Sequence, residues 1–366
     1  MSLSLEAPPA LNRALRVFFG EFVRASLTRP GQALFFARTV GRQTAAARVR
    51  SRHLREGLLV PPIAIFSITN RCNLRCKGCY AQAIRGSSQD TLSAGDMRRI
   101  IGEAGALGIS FIVIAGGEPL MRPEIIEIAR RFKRMIFLLV TNGLLLDAGL
   151  IAQLASYRNV IPVLSIEGNQ VETDNRRGEG IHRRLVTKMG DLKAAGVFFS
   201  LSLTVTRDNF ATVTDRAFID NALRAGCRFF LYLEYTPIRE GTENWAMTDS
   251  QREEMAHRVV EFRARHRAVF VAVPWDEEEV GGCLAGGRGF VHISAEGGLE
   301  PCPFAPYSDV SLRTTSLAMA LRSPFLTALR DGHERFAHTS DGCSLFRERE
   351  QLKGLLHSQQ GLPSDQ

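Results

Sequence analysis

The sequence predicts an α/β fold, a partial (β/α)6 TIM-like barrel, placed between a helical N-terminal segment and a small C-terminal domain. From residue 62 to residue 237, short apolar runs rich in β-branched residues alternate with longer stretches of helical period. This alternation is typical of a parallel sheet covered by helices. It gives six units, and because a closed barrel of this type needs eight, we expect an open, partial barrel.

Six strands are predicted from the apolar runs, and six helices from the stretches that follow each of them. The strands are predicted at 63–69, 110–115, 136–141, 160–166, 197–206 and 227–236. The helices are predicted at 93–107, 121–133, 146–156, 182–195, 211–225 and 250–267. Turn residues such as Asn142-Gly143 and Gly226 separate the elements. In such folds we expect the chemistry at the C-terminal ends of the strands.

The chain divides into four predicted segments. Residues 1–58 form a basic helical segment, and 59–270 form the barrel. The alternation stops near residue 270, where a glycine-rich stretch and a hairpin-like run predict a small domain over 271–346. Residues 347–366 read as a polar tail that frays at its end.

Composition and charge limit the classes of protein to consider. The chain has 366 residues, 45% apolar and 23% charged, which is ordinary for a protein with a sizeable core. The sequence contains neither an apolar run of about 18 residues nor the compact apolar stretch of a signal peptide, so we expect a cytoplasmic location. Of the net charge of +8, residues 1–58 carry most, with ten arginines against three glutamates. The barrel is nearly neutral, so no nucleic-acid partner is expected.

Three of the seven cysteines, Cys72, Cys76 and Cys79, lie in one loop after the first strand. An odd number of cysteines grouped in this way does not fit a disulfide framework, and clustered thiols in a reducing compartment indicate metal. Three thiolates can converge on one iron–sulfur cube and leave one iron open to an external ligand. A zinc site usually has four protein ligands. The spacing alone leaves zinc, or no metal, as alternatives.

The second strand ends in Gly116, Gly117, Glu118 and Pro119. Two glycines expose backbone groups and allow a ligand to approach closely. The alternative is a plain turn between a strand and a helix.

Together with this turn, the cysteine loop resembles the signature of the radical SAM superfamily. The resemblance implies a [4Fe–4S] cluster on the three cysteines, with its unique iron chelated by the amino and carboxylate groups of S-adenosylmethionine (SAM). It also implies that the Gly116 to Pro119 turn binds the methionine amino group. Many members carry an aromatic residue just before the third cysteine, whereas this chain has Gly78 there and Tyr80 afterwards.

The next strand ends offer further cofactor-binding candidates. In similar enzymes a fourth-strand serine and a following arginine contact the ribose and carboxylate of SAM, which implies Ser165 and Arg177, with Arg176 an equal candidate. Asn142 on the third strand end and Thr204 on the fifth complete this set.

The sixth strand ends in Glu234 and Tyr235, the two candidate catalytic residues. Because side chains alternate along a strand, only one of the two faces the barrel interior. Glu234 is either a substrate-site base or the structural partner of an arginine.

Three later cysteines, Cys283, Cys302 and Cys343, follow the barrel. The first two flank a glycine-turned hairpin, which brings thiols together. Their spacing resembles the opening of SPASM and twitch extensions, which carry auxiliary iron–sulfur clusters. Three cysteines allow one auxiliary cluster, and they also fit a packed, metal-free cluster of small apolar residues. If a cluster forms, either an open iron binds substrate or a further ligand closes the site. The candidate closing ligands are Asp341, His338 and His357.

The N-terminal segment has an apolar stripe at helical spacing, which includes Leu15, Phe18 and Phe22, with arginines on the other side. Such a helix lies on an anionic membrane surface, holds an anionic substrate, or forms a lid that packs on the barrel. We favour the lid. The segment lacks the strands of a winged-helix domain that recognises leader peptides, which speaks against a ribosomal peptide substrate.

The resemblance implies the reaction as well. A one-electron reductant such as a flavodoxin or ferredoxin reduces the cluster, SAM is cleaved, and a 5′-deoxyadenosyl radical abstracts hydrogen from an unidentified substrate. The substrate is a peptide, a cofactor precursor, a lipid-like molecule or a carbohydrate. The alternative is a non-catalytic iron–sulfur or zinc module that acts through partners, which would explain the cysteines but not the Gly116 to Pro119 turn.

Overall fold

The computed structural model describes residues 7–85, 90–337 and 342–360, without the side chains of 7–14, 16 and 360. At its centre lies a curled half-barrel sheet of nine strands in the order β7-β6-β5-β4-β3-β2-β1-β8-β9. The strands are β1 (Ile63–Ser67), β2 (Phe111–Ala115), β3 (Ile136–Thr141), β4 (Val160–Ile166), β5 (Ser200–Val205), β6 (Phe229–Glu234), β7 (Val269–Val273), β8 (Phe290–Ile293) and β9 (Leu299–Glu300). Every neighbouring pair is parallel except β8 and β9. The predicted fold class is confirmed.

The sheet is longer than the six strands predicted. β1 to β6 are the predicted strands, but β7 adds to the edge of β6, and β8 pairs in parallel with β1. The predicted boundary at residue 270 therefore falls inside β7. The five residues of β7 and the four of β8 carry too little periodicity to reveal a strand, and the pairing of β8 with β1 joins residues more than 220 positions apart.

Sixteen α-helices surround the sheet in the part of the chain that the structure describes. They are α1 (Ala7–Ala25), α2 (Pro30–Arg55), α3 (Tyr80–Arg85), α4 (Ala94–Leu107), α5 (Glu124–Ala129), α6 (Ala148–Ser156), α7 (Gln170–Arg177), α8 (Ile181–Ala194), α9 (Phe210–Val213), α10 (Arg216–Arg224), α11 (Asp249–Arg265), α12 (Trp275–Glu278), α13 (Leu317–Ala320), α14 (Pro324–Asp331), α15 (Ser344–Arg347) and α16 (Arg349–Gln360). The six predicted helical stretches correspond to α4, α5, α6, α8, α9 with α10, and α11.

Helix ends carry the signals expected from local chemistry. α4 begins with a capping box in which Ser93 and Asp96 satisfy each other's backbone N–H groups, and it ends at Gly108 in the left-handed conformation with φ +92°. α11 begins with the equivalent box of Thr248 and Gln251. These caps fix the residues at which α4 begins and ends and at which α11 begins.

The two faces of the sheet pack against different partners. On the outer face, residues such as Ile112 and Ile114 pack against the surrounding helices. On the inner face, residues at the N-terminal ends of the strands pack against α1, for example Phe111 against Phe19 and Phe229 against Phe22. Alternation of side chains along each strand produces this division.

The hairpin of α1 and α2 closes one end of the half-barrel. Phe19, Phe22 and Phe36 are fully buried among the first residues of the strands. Burying a side chain of this size contributes about 2–3 kcal/mol. Because all strands of the barrel run in parallel, the hairpin lies at the end opposite the cysteine loop. This is the packing that the lid interpretation predicts, although it closes the end away from the expected chemistry.

The predicted polar tail is partly helical. α16 covers most of it, and Leu352 is fully buried in a small apolar cluster of the C-terminal region. Residues 361–366 lie outside the described residues. Among the residues that are described, no helix combines the length and apolar character needed to cross a membrane.

Candidate active site

The cysteine loop leaves the C-terminal end of β1 and is held from two sides. Asp90 accepts hydrogen bonds from the Thr69 hydroxyl (2.6 Å) and the Asn70 backbone N–H (2.7 Å). On the other side, the N–H of Gly117 donates to the Thr69 carbonyl at 2.7 Å, and the N–H of Glu118 donates to the Arg71 carbonyl at 2.8 Å. The loop therefore lies directly on the glycine turn after β2.

Close approach of the loop explains the glycine pair. A Cβ at Gly116 would lie 2.3 Å from the Thr69 carbonyl oxygen, and one at Gly117 would lie 2.1 Å from that of Arg71. Both distances are far below van der Waals contact with rigid backbone atoms, and Gly116 also has φ +120°. Packing of the loop on the turn therefore requires glycine at both positions, whether or not a ligand binds there.

Glu118 ties the second strand end to the third. Its buried carboxylate accepts hydrogen bonds from the Asn142 N–H (2.7 Å), the Thr141 hydroxyl (2.7 Å) and the Leu120 N–H (3.0 Å). Burial raises the pKa of Glu118, and these hydrogen bonds oppose the shift. Pro119, which begins a short 3-10 turn, is buried. Both carboxylate oxygens are engaged within the protein.

Asn142 links this structure to the cysteines. Its side-chain N–H donates to Asn73 Oδ1 at 2.7 Å, and its Nδ2 lies 4.0 Å from Cys72 Sγ. The sequence prediction placed Asn142 among the cofactor-binding residues, and the structure places it beside the first cysteine.

The carboxylate of Glu167, just after β4, holds both candidate arginines. Arg177 donates through Nε at 2.8 Å, and Arg176 forms an ion pair at 2.7 Å. Burial is the largest single effect on Arg177 and lowers its pKa, but the charge and hydrogen bond of Glu167 together with the charges of Cys76 and Cys79 outweigh it, and the net shift is upward. The Nη1 atom of Arg177 lies 4.0 Å from Cys76 Sγ, whereas Arg176 donates to the Lys77 carbonyl. The structure therefore brings Arg177 to the thiol.

Small polar residues line the inner face beside this site. Ser165 of β4 and Ser202 of β5 are register partners and are both buried. Thr204 lies two residues further along β5, on the same face, and is partly exposed. These residues lie at the strand ends where the sequence prediction placed the cofactor.

The two candidates at the end of β6 separate as alternation requires. Glu234 forms an ion pair with Arg252 of α11 at 2.7 Å on the outer face. The hydroxyl of Tyr235 donates to Thr242 Oγ1 at 2.9 Å. The structure brings Tyr235, and not Glu234, to the cysteine loop.

An aromatic pair lies against the cysteine loop at Gly78. The ring of Tyr235 lies 5.5 Å from that of Trp245. A Cβ at Gly78 would lie 2.5 Å from the Tyr235 hydroxyl and 2.7 Å from the Trp245 ring, and Gly78 has φ +64°. Both the space and the backbone conformation therefore explain glycine at this position.

The three later cysteines share one apolar cluster. Cys302 is buried, and Cys283 and Cys343 are partly exposed and pack beside it. Burial raises the pKa of all three thiols, that of Cys343 to about 11. Cys227, the remaining cysteine after the barrel's fifth strand, is fully buried, and its Sγ donates to the Phe229 carbonyl at 3.2 Å.

Sequence reasoning missed an acidic residue near these thiols. Glu277 of α12 is buried, which raises its pKa to about 7, and its charge acts on all three cysteines. A run of acidic residues at 276–279, just before the glycines that precede Cys283, was the available signal. Of the predicted closing ligands, His338 and Asp341 lie outside the described residues, and His357 is partly exposed on α16.

The cysteine loop fits an iron–sulfur cluster by its donor set. It offers three partly exposed free thiols on one loop and places the Arg177 guanidinium beside them to offset negative charge. Burial raises the pKa of Cys76, and the charge of Arg177 opposes that shift. No three thiol, imidazole or carboxylate groups of the described residues lie close enough to form a single-ion site.

Residues 66–217, which contain the cysteine loop, the glycine turn, Ser165 and Arg177, match the model of the radical SAM superfamily. The chain contains a radical SAM domain. This makes it a radical SAM enzyme, of a family that uses a [4Fe–4S] cluster and SAM.

The relatives of this radical SAM chain carry the names of different enzymes. It is 27% identical over 286 residues to an AdoMet-dependent heme synthase of Methanosarcina barkeri, covering 69% of this chain and 80% of that protein. It is 24% identical over 251 residues to a PqqA peptide cyclase of Gluconobacter oxydans, covering 66% and 70%.

The fold likeness extends beyond the radical SAM domain. Streptococcus suis SuiB bound to S-adenosylmethionine superposes with a TM-score of 0.62 at 16% identity, over 80% of this chain and 73% of that one. This span is longer than residues 66–217, so elements outside the radical SAM domain share the fold.

Proposed function

We propose that Cys72, Cys76 and Cys79 hold the [4Fe–4S] cluster of this radical SAM enzyme and that its substrate binds inside the half-barrel. The observation that carries the proposal is the loop geometry: three thiols on one loop, docked on the glycine turn, with Arg177 4.0 Å from Cys76. When bound, the cluster and SAM supply a 5′-deoxyadenosyl radical for hydrogen abstraction.

The protein's own residues would orient SAM. We assign the turn from Gly116 to Pro119 to the methionine amino end, with the Glu118 carboxylate acting by holding Asn142 in place. Arg177, fixed by Glu167, would bind the methionine carboxylate. Ser165 and Thr204 would face the ribose. A charged ligand needs such fixed partners because burying it unpaired is costly.

Anaerobic reconstitution tests this assignment. The reconstituted protein is expected to carry about four irons at this site and to form 5′-deoxyadenosine from SAM and dithionite, whereas Cys76→Ala does not. Cys227→Ala, which removes a core thiol away from the loop, is the matched control and should retain activity. A four-iron wild-type protein that forms no 5′-deoxyadenosine would contradict the proposal.

For the substrate, we propose a cofactor precursor of the tetrapyrrole class. The heme synthase match spans 80% of that relative, and the described part of the N-terminal segment is a helical hairpin packed into the barrel, without the strands of a peptide-recognition domain. Titration of the protein with iron-coproporphyrin III should give a saturable shift of its Soret band, and Leu233→Arg, at a partly exposed position on the inner face near the C-terminal end of β6, should weaken it. A linear, unsaturable response would contradict this substrate class.

We propose a second cluster at Cys283, Cys302 and Cys343, which would anchor substrate or accept an electron from the product. Support comes from their common apolar cluster and from the buried carboxylate of Glu277 nearby. Iron counting tests it: Cys283→Ala and Cys302→Ala should each lose the iron of one cluster, and Cys227→Ala none. Unchanged iron in the first two variants would leave these thiols as packing residues.

The remaining proposed partners are a reductant and a membrane surface. A flavodoxin or ferredoxin would supply the single electron. Peripheral membrane contact would use the outer side of the N-terminal hairpin, where Val17, Leu27 and Leu34 are 64%, 57% and 52% exposed near exposed arginines. Sedimentation with anionic but not neutral vesicles supports this contact, and its loss in Leu27→Asp would localise it.

A further inference from the structure

A hydrogen-bonded chain of buried side chains crosses from β1 to the hairpin of β8 and β9. The hydroxyl of Ser67, at the end of β1, lies 2.8 Å from His292 Nε2, and His292 Nδ1 lies 2.8 Å from Glu300 Oε2. Ser67, His292 and Glu300 are 6%, 3% and 2% exposed. None of them belongs to the predicted site.

The chain continues to the far side of the cysteine loop. The other oxygen of Glu300 pairs with Arg85, at the end of α3, which begins directly after Cys79. Arg85 also pairs with Glu296 at 3.1 Å, and Glu296 accepts a hydrogen bond from the Asn70 side chain at 2.7 Å. The hairpin therefore holds residues both before the first cysteine and after the third.

A separate contact links the same two segments. The ring of Tyr80, the residue after Cys79, packs edge-on against Phe304 with centroids 5.1 Å apart. Phe304 lies two residues beyond Cys302. The segment from Glu300 to Phe304 therefore contacts both ends of α3.

The hydrogen-bonding capacity of each side chain determines its role in this connection. A buried carboxylate is costly unless it is paired, and Glu300 is paired with Arg85 on one oxygen and with His292 on the other. Because an ionised carboxylate only accepts, His292 donates to it through Nδ1, and Nε2 of a neutral ring then accepts a hydrogen bond from the Ser67 hydroxyl. Ser67 is also the register partner of Ala115, next to the glycine turn.

We propose that His292, Glu300 and Arg85 are positioning residues through which the C-terminal hairpin shapes the cysteine loop for SAM. This inference rests on the proposed function, in which that loop holds the cluster. Through Ser67, these side chains position the glycine turn that faces SAM. Through Arg85, they position α3, the helix that follows Cys79. Cys302 lies two residues beyond Glu300. The same hydrogen-bonded side chains therefore connect the later cysteines to the SAM site.

Electron paramagnetic resonance (EPR) and SAM affinity test the proposal in the full-length chain carrying Cys302→Ala, so that the spectrum reports the cysteine loop. Glu300→Gln and Arg85→Gln should each raise the dissociation constant of SAM roughly threefold or more and reduce the SAM-induced change in the EPR spectrum of the reduced cluster. The double variant should be no worse than the single ones, because both changes break one connection. His257→Asn, an exposed histidine on α11, is the control.

Conservative variants separate positioning from folding. His292→Asn keeps an N–H donor near the Nδ1 position and should retain more of the SAM-induced EPR change than His292→Ala. Should the Glu300 variant fail to fold, Ser67→Ala, which removes only a hydroxyl, should still raise the SAM dissociation constant. Folded variants whose spectra and affinities equal those of their parent overturn the inference. A parent that assembles no cluster on the loop instead overturns the proposed function.

Discussion

At the scale of single residues, the site depends on backbone atoms that approach each other closely. Gly116 and Gly117 serve the docking of the cysteine loop, since the carbonyl oxygens of Thr69 and Arg71 occupy the space of any Cβ. Gly78 has the same function toward Tyr235. The glycine pair, which the sequence suggests as a ligand-binding feature, is therefore also required for the cysteine loop to pack against the turn.

Gly117→Ala tests this packing requirement. Its Cβ would meet the Arg71 carbonyl oxygen at 2.1 Å, so the loop must move. We expect a loss of about 1–3 kcal/mol in the free energy of unfolding, as for other overpacked sites, and poor iron retention after reconstitution. Urea unfolding and iron per chain measure the two effects.

Gly190→Ala is the matched control for that change. Gly190 lies on the exposed side of α8 with no atom within 4 Å of a new Cβ. Alanine should stabilise the helix there by about 0.5–1 kcal/mol and leave the iron content unchanged. If both alanine variants behave alike, close packing is not the reason for glycine at position 117.

The two arginines on Glu167 give a second prediction at this scale. Arg177→Gln should raise the dissociation constant of SAM about ten- to hundredfold, the value of a charge-assisted hydrogen bond, because its guanidinium lies beside Cys76. Arg176→Gln should have a smaller effect, since that side chain binds the Lys77 carbonyl. Equilibrium dialysis against the reconstituted protein measures both. A larger effect at position 176 would reverse the assignment.

At the scale of elements, the N-terminal hairpin is an internal support of the sheet. α1 and α2 insert phenylalanines into the inner face at the strand starts, where the half-barrel would otherwise expose apolar residues. Part of the basic charge stays at the surface, on the exposed Arg38 and Arg48 of α2, whereas Arg24, Arg29 and Arg50 donate hydrogen bonds to backbone carbonyls outside the hairpin. Its apolar stripe is therefore used within the molecule.

Truncation of a hairpin phenylalanine tests this support. Phe22 is fully buried, so Phe22→Ala should lower the free energy of unfolding by about 3–5 kcal/mol. Val17→Ala on the same helix, at 64% exposure, should stay within about 0.5 kcal/mol of wild type. Chemical denaturation compares them. Equal, small losses would show that the hairpin does not contribute to the core.

At the scale of the whole molecule, one continuous sheet joins the radical SAM domain to the region of the later cysteines. β8 pairs with β1, the strand that carries the cysteine loop, and ends in the hairpin that reaches Cys302. The three cysteines of the loop and the three later cysteines are therefore connected by a short stretch of continuous sheet. Stability of the molecule also depends on the buried carboxyl group of Glu277, which lies near the later cysteines.

The raised pKa of Glu277 predicts how the stability of the folded protein changes with pH. Burial raises its pKa to about 7 in the folded protein, above the ordinary value of 4.5. The folded state thus favours the protonated carboxyl, and its contribution to stability is complete below about pH 4.5 and is lost as the pH rises through 7. For the metal-free chain, we expect wild type to lose on the order of 3 kcal/mol relative to Glu277→Gln over this range. Urea unfolding of both proteins at several pH values measures it, and parallel curves would contradict it.

The sequence by itself determined the six barrel strands, the cysteine loop and the glycine turn, because periodicity and motif spacing are properties of short stretches of chain. Tertiary structure decided what depends on distant contacts. It brought Arg177 rather than Arg176 to Cys76, and it turned Tyr235 inward and Glu234 toward Arg252.

The joining of β8 to β1 was also decided at the tertiary level. That pairing buries His292 against Ser67, 225 residues earlier in the chain, and closes the far side of the cysteine loop through Arg85. No local pattern encodes such a contact, since its stability comes from pairing and burial that exist only once both segments are folded together. The cysteine loop could thus be recognised from its own residues, whereas the side chains that hold it in place could not.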